Sequence, residues 1–441
     1  WCFIQPKLGS PRTQFVLPRS CPLSFMLIAH LVAALGLLAS TPQQDADWIE
    51  CTPTTVAFDG GFPVTVTNPI ARALERGAPG SVIYLEPGDY PAFRINFGRG
   101  DDNAETSGGT RLLPVTLRGG PGVRIRAPKG GDTVAINQRS PVKFITFEDI
   151  EFEPSYRSAI IFFRVDPGTV HEGFHFYDCD VIGGWDHVKA TGQRSKWAVT
   201  GQGLKDFEWI GRNERSHIRD IKDEHAFYLQ NPAGDITIEN VEATRLGRTF
   251  VQFTSRSKEG LPGVGRITVR NCRVSDACLA AGDAYKGGSA FTLTGNSPKA
   301  TFLFEGNSYR AGYQPRLKKL TREGVPYGTG AFVAWSEGES VRNGTVILRD
   351  NDFRMASDCG ERPLVAIGAC TEVRLEGENQ FHAGAFGVAL SLDAPRRVGV
   401  PEPLPNSKVR VDVAPILTGR VEVTGKSPDE ATLTKLGLRT P

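Results

Sequence analysis

The chain has almost no excess charge of either sign. Its 51 Lys and Arg stand against 49 Asp and Glu, a formal net charge of +2 over 441 residues, and that balance by itself does not mark a nucleic-acid binder. Segments with apolar residues three and four apart are nearly absent, as are heptads and helix-period charge patterns. That excludes helical bundles, helical repeats and coiled coils. None of the 8 cysteines stands in a CxxC or Cys/His spacing, so no zinc site is expected. Only 2 methionines occur, and Met26 is the early one in a chain that begins at Trp1. Part of the stretch ahead of it is therefore open to reading as a gene-model artefact.

What is present is a short apolar pattern that returns about every thirty residues. It reads FEDIEF from Phe147, FYDCDV from Phe176, IENVEA from Ile238, VRNCRV from Val269, FEGNSY from Phe304 and LRDNDF from Leu348. Phe207 is placed at the first position of the unit between Phe176 and Ile238. Ile150, Cys179, Val241 and Cys272 share the fourth position and are expected to stack in one interior column. A second strand signal follows in each unit: AIIFFR from Ala159, HAFYLQ from His225, TFVQFT from Thr249, SAFTLT from Ser289, GAFVAW from Gly330 and FGVALS from Phe386. These runs of Phe, Val, Leu and Thr are bounded by Gly, Asn, Pro and Asp, which is strand chemistry. One such unit cannot bury its own face, so units must stack into a solenoid. Two or three short strands per thirty residues match one coil of a parallel β-helix, whereas a propeller blade needs a longer, four-stranded repeat. The 49 glycines and 30 prolines suit a fold with many tight turns.

On these units the chain resembles the right-handed parallel β-helix family typified by pectate lyases, alginate lyases and related polysaccharide enzymes. The opening is similar too. Asn68 and Pro69 read as N-cap and first residue of a short helix, IARALERG, followed by APGSVIYLEPGDY from Ala78 and LPVTLRGGPGVRIRAP from Leu113 as the first two coils. The resemblance implies an all-β fold, a single-stranded right-handed parallel β-helix solenoid with an N-terminal capping helix. It says little about activity, because this scaffold hosts lyases, hydrolases, epimerases and non-catalytic adhesins. The paired aspartates, Gly-His-Gly turn and Arg-x-Lys of polygalacturonase-like hydrolases are not present as a set. Neither are the Asp-Pro-His of mannuronan epimerases and the Asn, Lys, Arg and Glu pattern of the lyases of this fold.

Four regions are expected: a leader over 1–40, an entry segment over 41–63, the β-helix over 64–423 and a C-terminal tail over 424–441. The apolar run 24–40 has signal-peptide length, which predicts a secreted, periplasmic or cell-surface protein with no stable membrane span after cleavage. Of the cysteines beyond the leader, Cys179 and Cys272 read as small core residues. Cys359 and Cys370 flank one strand and are spaced to bridge adjacent turns. The loop 98–109 carries Asp101, Asp102 and Asn103, oxygen donors of the kind Ca2+ takes, although such loops are commonly solvated turns; no other cofactor is expected.

The functional reading rests on the segments 183–196, 212–224, 244–248, 276–289 and 310–329, taken as loops between the two strands of successive units. Loops leaving equivalent points of a solenoid stack on one side and wall a groove. They carry His187, Lys189, Arg194, Lys196, Arg215, Arg219, Lys222, Arg245, Arg248, Arg316, Lys318, Lys319 and Arg322, a basic set that suggests an anionic ligand. With Phe227 and Leu229 inward, Tyr228 and Gln230 face out, and the same alternation exposes Gln252 or Thr254, then Thr292 and Thr294, then Val333 and Trp335. A uronate lyase needs a cation beside the carboxylate and a base near C5. Lys222, His225, Tyr228 and Arg248 are the catalytic candidates, with Lys189, Arg245, Gln252, Arg256 and Trp335 as substrate contacts. His225 is equally readable as a cap at the strand entry and Tyr228 as a stacking platform. The reading is a monomeric, exported lyase of an acidic polysaccharide that binds no nucleic acid. A non-catalytic glycan-binding or structural β-helix and a glycoside hydrolase of the same fold are the alternatives.

Overall fold

Seven of the coils turn from the first sheet to the second on a single residue in the left-handed region. Asp149, Asp178, Asn240, Asn271, Gly306, Asp350 and Gly377 all have φ between 52° and 62°, and Asp, Asn and Gly are the residues that tolerate it. The residue on the C-terminal side of this turn points inward and starts the next strand. The structure is a computed structural model. It describes residues 48–438 except 97–100, 102, 128–130, 137–141, 155–156, 164–169, 185–196, 222–223, 255–264, 279–288, 296–298, 311–329, 336–341, 356–362, 384–386, 393–404 and 424–427.

The strands form three sheets of 14, 12 and 11 members, almost wholly parallel, and each coil adds one strand to each sheet. Within a coil the chain passes from the first sheet, for instance Lys143–Glu148, to a short strand of the second, Glu151–Glu153, and then to the third, Ser158–Phe162. This is a right-handed parallel β-helix, the hand that parallel crossovers take. Asp47–Pro441 is one compact unit. The first sheet begins in the expected entry segment, where Trp48–Cys51 pairs in parallel with Val82–Leu85 and antiparallel with Thr55–Phe58. The helix Pro69–Arg76 is capped by the Asn68 side chain, which accepts from the Ala71 amide. At the other end, a helix Glu430–Lys435 capped by Asp429 lies against the last coil, where Lys435 Nζ donates to Val411 O at 2.7 Å. No helix among the described residues is long and apolar enough to cross a membrane.

The interior is built of columns. Phe147, Phe176, Trp209, Ile238, Val269, Phe304 and Leu348 stand in direct register, and Phe147, Phe176 and Trp209 stack at 4.7 and 4.8 Å between ring centres. Trp209, not Phe207, holds this position; Phe207 pairs with Phe174 on the same inward face two residues earlier. The expected column of Ile150, Cys179, Val241 and Cys272 is formed and fully buried, with Ser216 between Cys179 and Val241. It continues as Asn307, Asn351 and Asn379. Asn351 Oδ1 accepts from the Asn307 amide and Nδ2, and Asn379 Oδ1 accepts the same pair from Asn351, all at 3.1 Å. Their Nδ2 groups also donate to Val269, Phe304 and Leu348 carbonyls. A buried amide is tolerable only with that degree of satisfaction. Cys370 is a buried free thiol whose Sγ lies 3.3 Å from Gly368 O; Cys359 lies outside the described residues. Asn103 belongs to a strand, Asn103–Ala104, whose backbone extends the third sheet; Asp102 lies outside the described residues.

Candidate active site

The third sheet carries the floor of the site. Its inward residues are Phe227 and Leu229, then Val251 and Phe253, then Phe291 and Leu293, all fully buried. One outward column runs Thr200, Tyr228, Gln252, Thr292, Val333, and the next runs Gln202, Gln230, Thr254, Thr294, Trp335. Two steps of the second are hydrogen-bonded: Gln202 Nε2 donates to Gln230 Oε1 at 2.7 Å, and the Thr254 and Thr294 hydroxyls meet at 2.7 Å. Thr254, Thr292 and Thr294 are buried although they lie on the outer face.

His225 sits just ahead of the strand Phe227–Gln230 and has the parity of inward Phe227. Its ring nevertheless belongs to the outer side. It stacks on Tyr228 at 4.9 Å with 24° between the planes, and its Nε2 lies 2.6 Å from Gln252 Oε1. Only 3% of the residue is exposed. Burial, with the Arg248 charge adding to it, lowers the imidazole to about 3, so it is neutral in ordinary solution. The Glu224 carboxylate is 3.4 Å from His225 Nδ1 and 2.7 Å from Arg248 Nη1, and the Arg248 amide donates to the Glu224 carbonyl. Arg248 thus comes into the cluster through Glu224. Arg245 adopts a left-handed φ of 53° and pairs with Asp220 at 2.9 Å.

The structure therefore brings His225, Tyr228 and Gln252 into contact and ties Arg248 to them. Trp335 is on the same face, separated from Gln230 by Thr254 and Thr294. Lys189, Lys222 and Arg256 lie outside the described residues, as do His187, Arg194, Lys196, Arg316, Lys318, Lys319 and Arg322. The segment 212–224 is not one loop. It contains the second-sheet strand Ser216–Arg219, so Arg219 stands on the outer face of the second sheet, and Arg215 ahead of it donates to the Asn271 carbonyl. Glu224, absent from the expected set, is the residue that joins His225 to Arg248. Its place next to His225 was the available signal. Thr200 was missed together with its strand, Trp197–Gln202.

The coil, the three sheets and the columns are those of a right-handed parallel β-helix. No protein-family model matches the chain, and no curated protein matches it in sequence. Among solved structures it is similar to an alginate lyase from Paenibacillus sp. str. FPU-7, at 14% identity and a TM-score of 0.46, over 85% of this chain and 99% of that one. It is also similar to the catalytic domain of a GH87 α-1,3-glucanase, at 12% identity and 0.44, over 79% of this chain and 62% of the other. A third is a PL6-family polysaccharide lyase from Pseudopedobacter saltans, at 10% and 0.32, over 89% and 90%.

Proposed function

We propose that the protein is a carbohydrate-active enzyme that cleaves a uronate-containing polysaccharide by β-elimination on the outer face of its third sheet. The observation that carries this reading is the stacked His225–Tyr228 pair on that face, with an arginine held beside it by Glu224. Burial and the depressed imidazole make His225 a very weak base. Tyr228, half-buried and in the outward column, is then the proton-transfer residue. As the phenolate it takes the C5 proton, the C4–O bond breaks with its electron pair leaving on oxygen, a C4=C5 double bond forms, and the phenol so formed returns that proton to the departing oxygen. Arg248 lies where a guanidinium can share the uronate carboxylate with Glu224 and favour the enolate that develops. Gln230, Gln252 and Trp335, half-buried on the outer face, offer amide partners and a ring face to neighbouring sugars. An exported location would place this site against such polymers.

One observation favours a binding module instead. Arg245 and Arg248 each already face a carboxylate of their own chain. A panel of uronate polymers separates the readings. Elimination predicts growth of the unsaturated-uronide absorbance with each new reducing end. Reducing ends without absorbance mean hydrolysis, and retention of a polymer without either product means a binding module; both outcomes overturn the proposal.

A further inference from the structure

The hydrogen bonds around His225 do not close as they stand. With Gln252 Oε1 facing Nε2 at 2.6 Å, a neutral ring must carry its proton on Nε2. Its Nδ1 is then a bare, buried lone pair with no hydrogen-bond partner, facing Glu224 Oε2 at 3.4 Å. Two acceptors then oppose each other at a buried ring nitrogen, which is unfavourable. Turning the Gln252 amide by half a turn exchanges its oxygen and nitrogen without changing its shape. Gln252 Nε2 then donates to His225 Nε2. Its Oε1 accepts from the Thr254 hydroxyl across the contact of 3.1 Å, the Thr254 oxygen accepts in turn from the Thr294 hydroxyl at 2.7 Å, and His225 Nδ1–H donates to Glu224. Glu224 keeps its bond to Arg248 at 2.7 Å. The chain Arg248, Glu224, His225, Gln252, Thr254 is then complementary at every link.

We propose that Glu224 and Gln252 hold His225 as the neutral Nδ1–H tautomer, and that His225 is a positioning residue for Tyr228 and not a catalytic one. Its only lone pair is engaged by Gln252, so it has no site free for a substrate proton. Its ring, fixed at both nitrogens, presents a flat face at 4.9 Å against which the Tyr228 ring is set. The role for Tyr228 rests on the elimination reading above; the tautomer does not.

The test is a long-range 1H–15N spectrum of the full chain labelled at histidine. His225 is assigned by its loss in His225→Gln. If that variant does not fold, it is assigned by the proton contacts of its ring with that of Tyr228, stacked at 4.9 Å. The expected result is a neutral ring with Nδ1 protonated and Nε2 bare, unchanged from about pH 5 to about pH 8. An Nε2–H tautomer or an imidazolium overturns the proposal. Gln252→Glu supplies only acceptors, so it is expected to protonate both ring nitrogens; a ring left neutral overturns the role of Gln252. On a uronate polymer the same variant is expected to lower kcat about tenfold or more with KM unchanged, and a change confined to KM overturns the positioning role. A wild-type chain with the Nδ1–H tautomer that cleaves no polymer refutes the elimination reading and leaves the tautomer standing. The Nε2–H tautomer in an active chain does the reverse.

Discussion

Glu151 and Glu153 leave the same face of one short strand, and Asp180 stands beside Glu151 on the next coil. Burial, a hydrogen bond to Glu153 and the surrounding negative charge raise Glu151 to about 7. A carboxyl with a raised folded-state pKa contributes stability that is complete below its unfolded value, about 4.3, and is lost as the pH climbs through the folded one. Glu151→Gln is therefore expected to melt above the wild type at about pH 8, and the two curves should converge at about pH 4. A melting difference independent of pH would show that the carboxyl is not the cause. Asn351 behaves differently because it has no charge to lose. Its amide is bonded above, below and to the Phe304 carbonyl. Asn351→Ala orphans buried groups on both neighbours and is expected to cost about 2–4 kcal/mol. Chemical denaturation measures it, and a loss within about 0.5 kcal/mol would mean the ladder contributes nothing net.

At the scale of the strand and turn, the left-handed residue between the first and second sheets sets the fold. Asp149 has φ 55°, and its carboxyl is pushed up by burial and by the Asp178 and Glu148 charges; Gly and Val both remove that charge, so comparing the two tests the conformation. Asp149→Gly should leave the melting temperature nearly unchanged. Asp149→Val places a β-branched side chain at positive φ, and thermal unfolding should register about 1–2 kcal/mol of destabilisation. Equal effects of the two variants would contradict the turn argument. These turns are also why the repeat could be read at all. Asp, Asn or Gly recurs between an apolar column and a buried fourth position, so FEDIEF, FYDCDV and VRNCRV announce themselves. Reading failed where that spacing breaks. After Ile210 the turn is enlarged by residues 211–215, which displaced the alignment from Trp209 to Phe207. The strand Trp197–Gln202 hid because Gly201 takes an interior position. A Cβ there would lie 2.8 Å from Phe162, whose ring fills the space. The site was legible in its residues but not in its directions. Strand alternation points Tyr228 and Gln252 outward, yet it says nothing of His225, which precedes the strand and swings onto their side.

Across the whole molecule, the proposed function depends on which of three faces is left open to a polymer. The outer face of the first sheet is laced with ion pairs between coils, such as Lys143–Glu172–Lys205 and Glu305–Arg349–Glu376. These half-exposed pairs add little stability, but they leave matched charge along that face. The third sheet instead presents Tyr228, Gln252, Gln230 and Trp335 in two straight columns, with coils about 4.8 Å apart, a spacing close to one sugar ring. The direct measurement is a crystal structure of Tyr228→Phe with a bound uronate oligosaccharide. The account predicts a sugar lying along the third sheet, its carboxylate within hydrogen-bonding reach of Arg248 and its C5 facing the ring of residue 228. An oligosaccharide seated on either of the other sheets, or on the third sheet with its carboxylate turned away from Arg248, would contradict it.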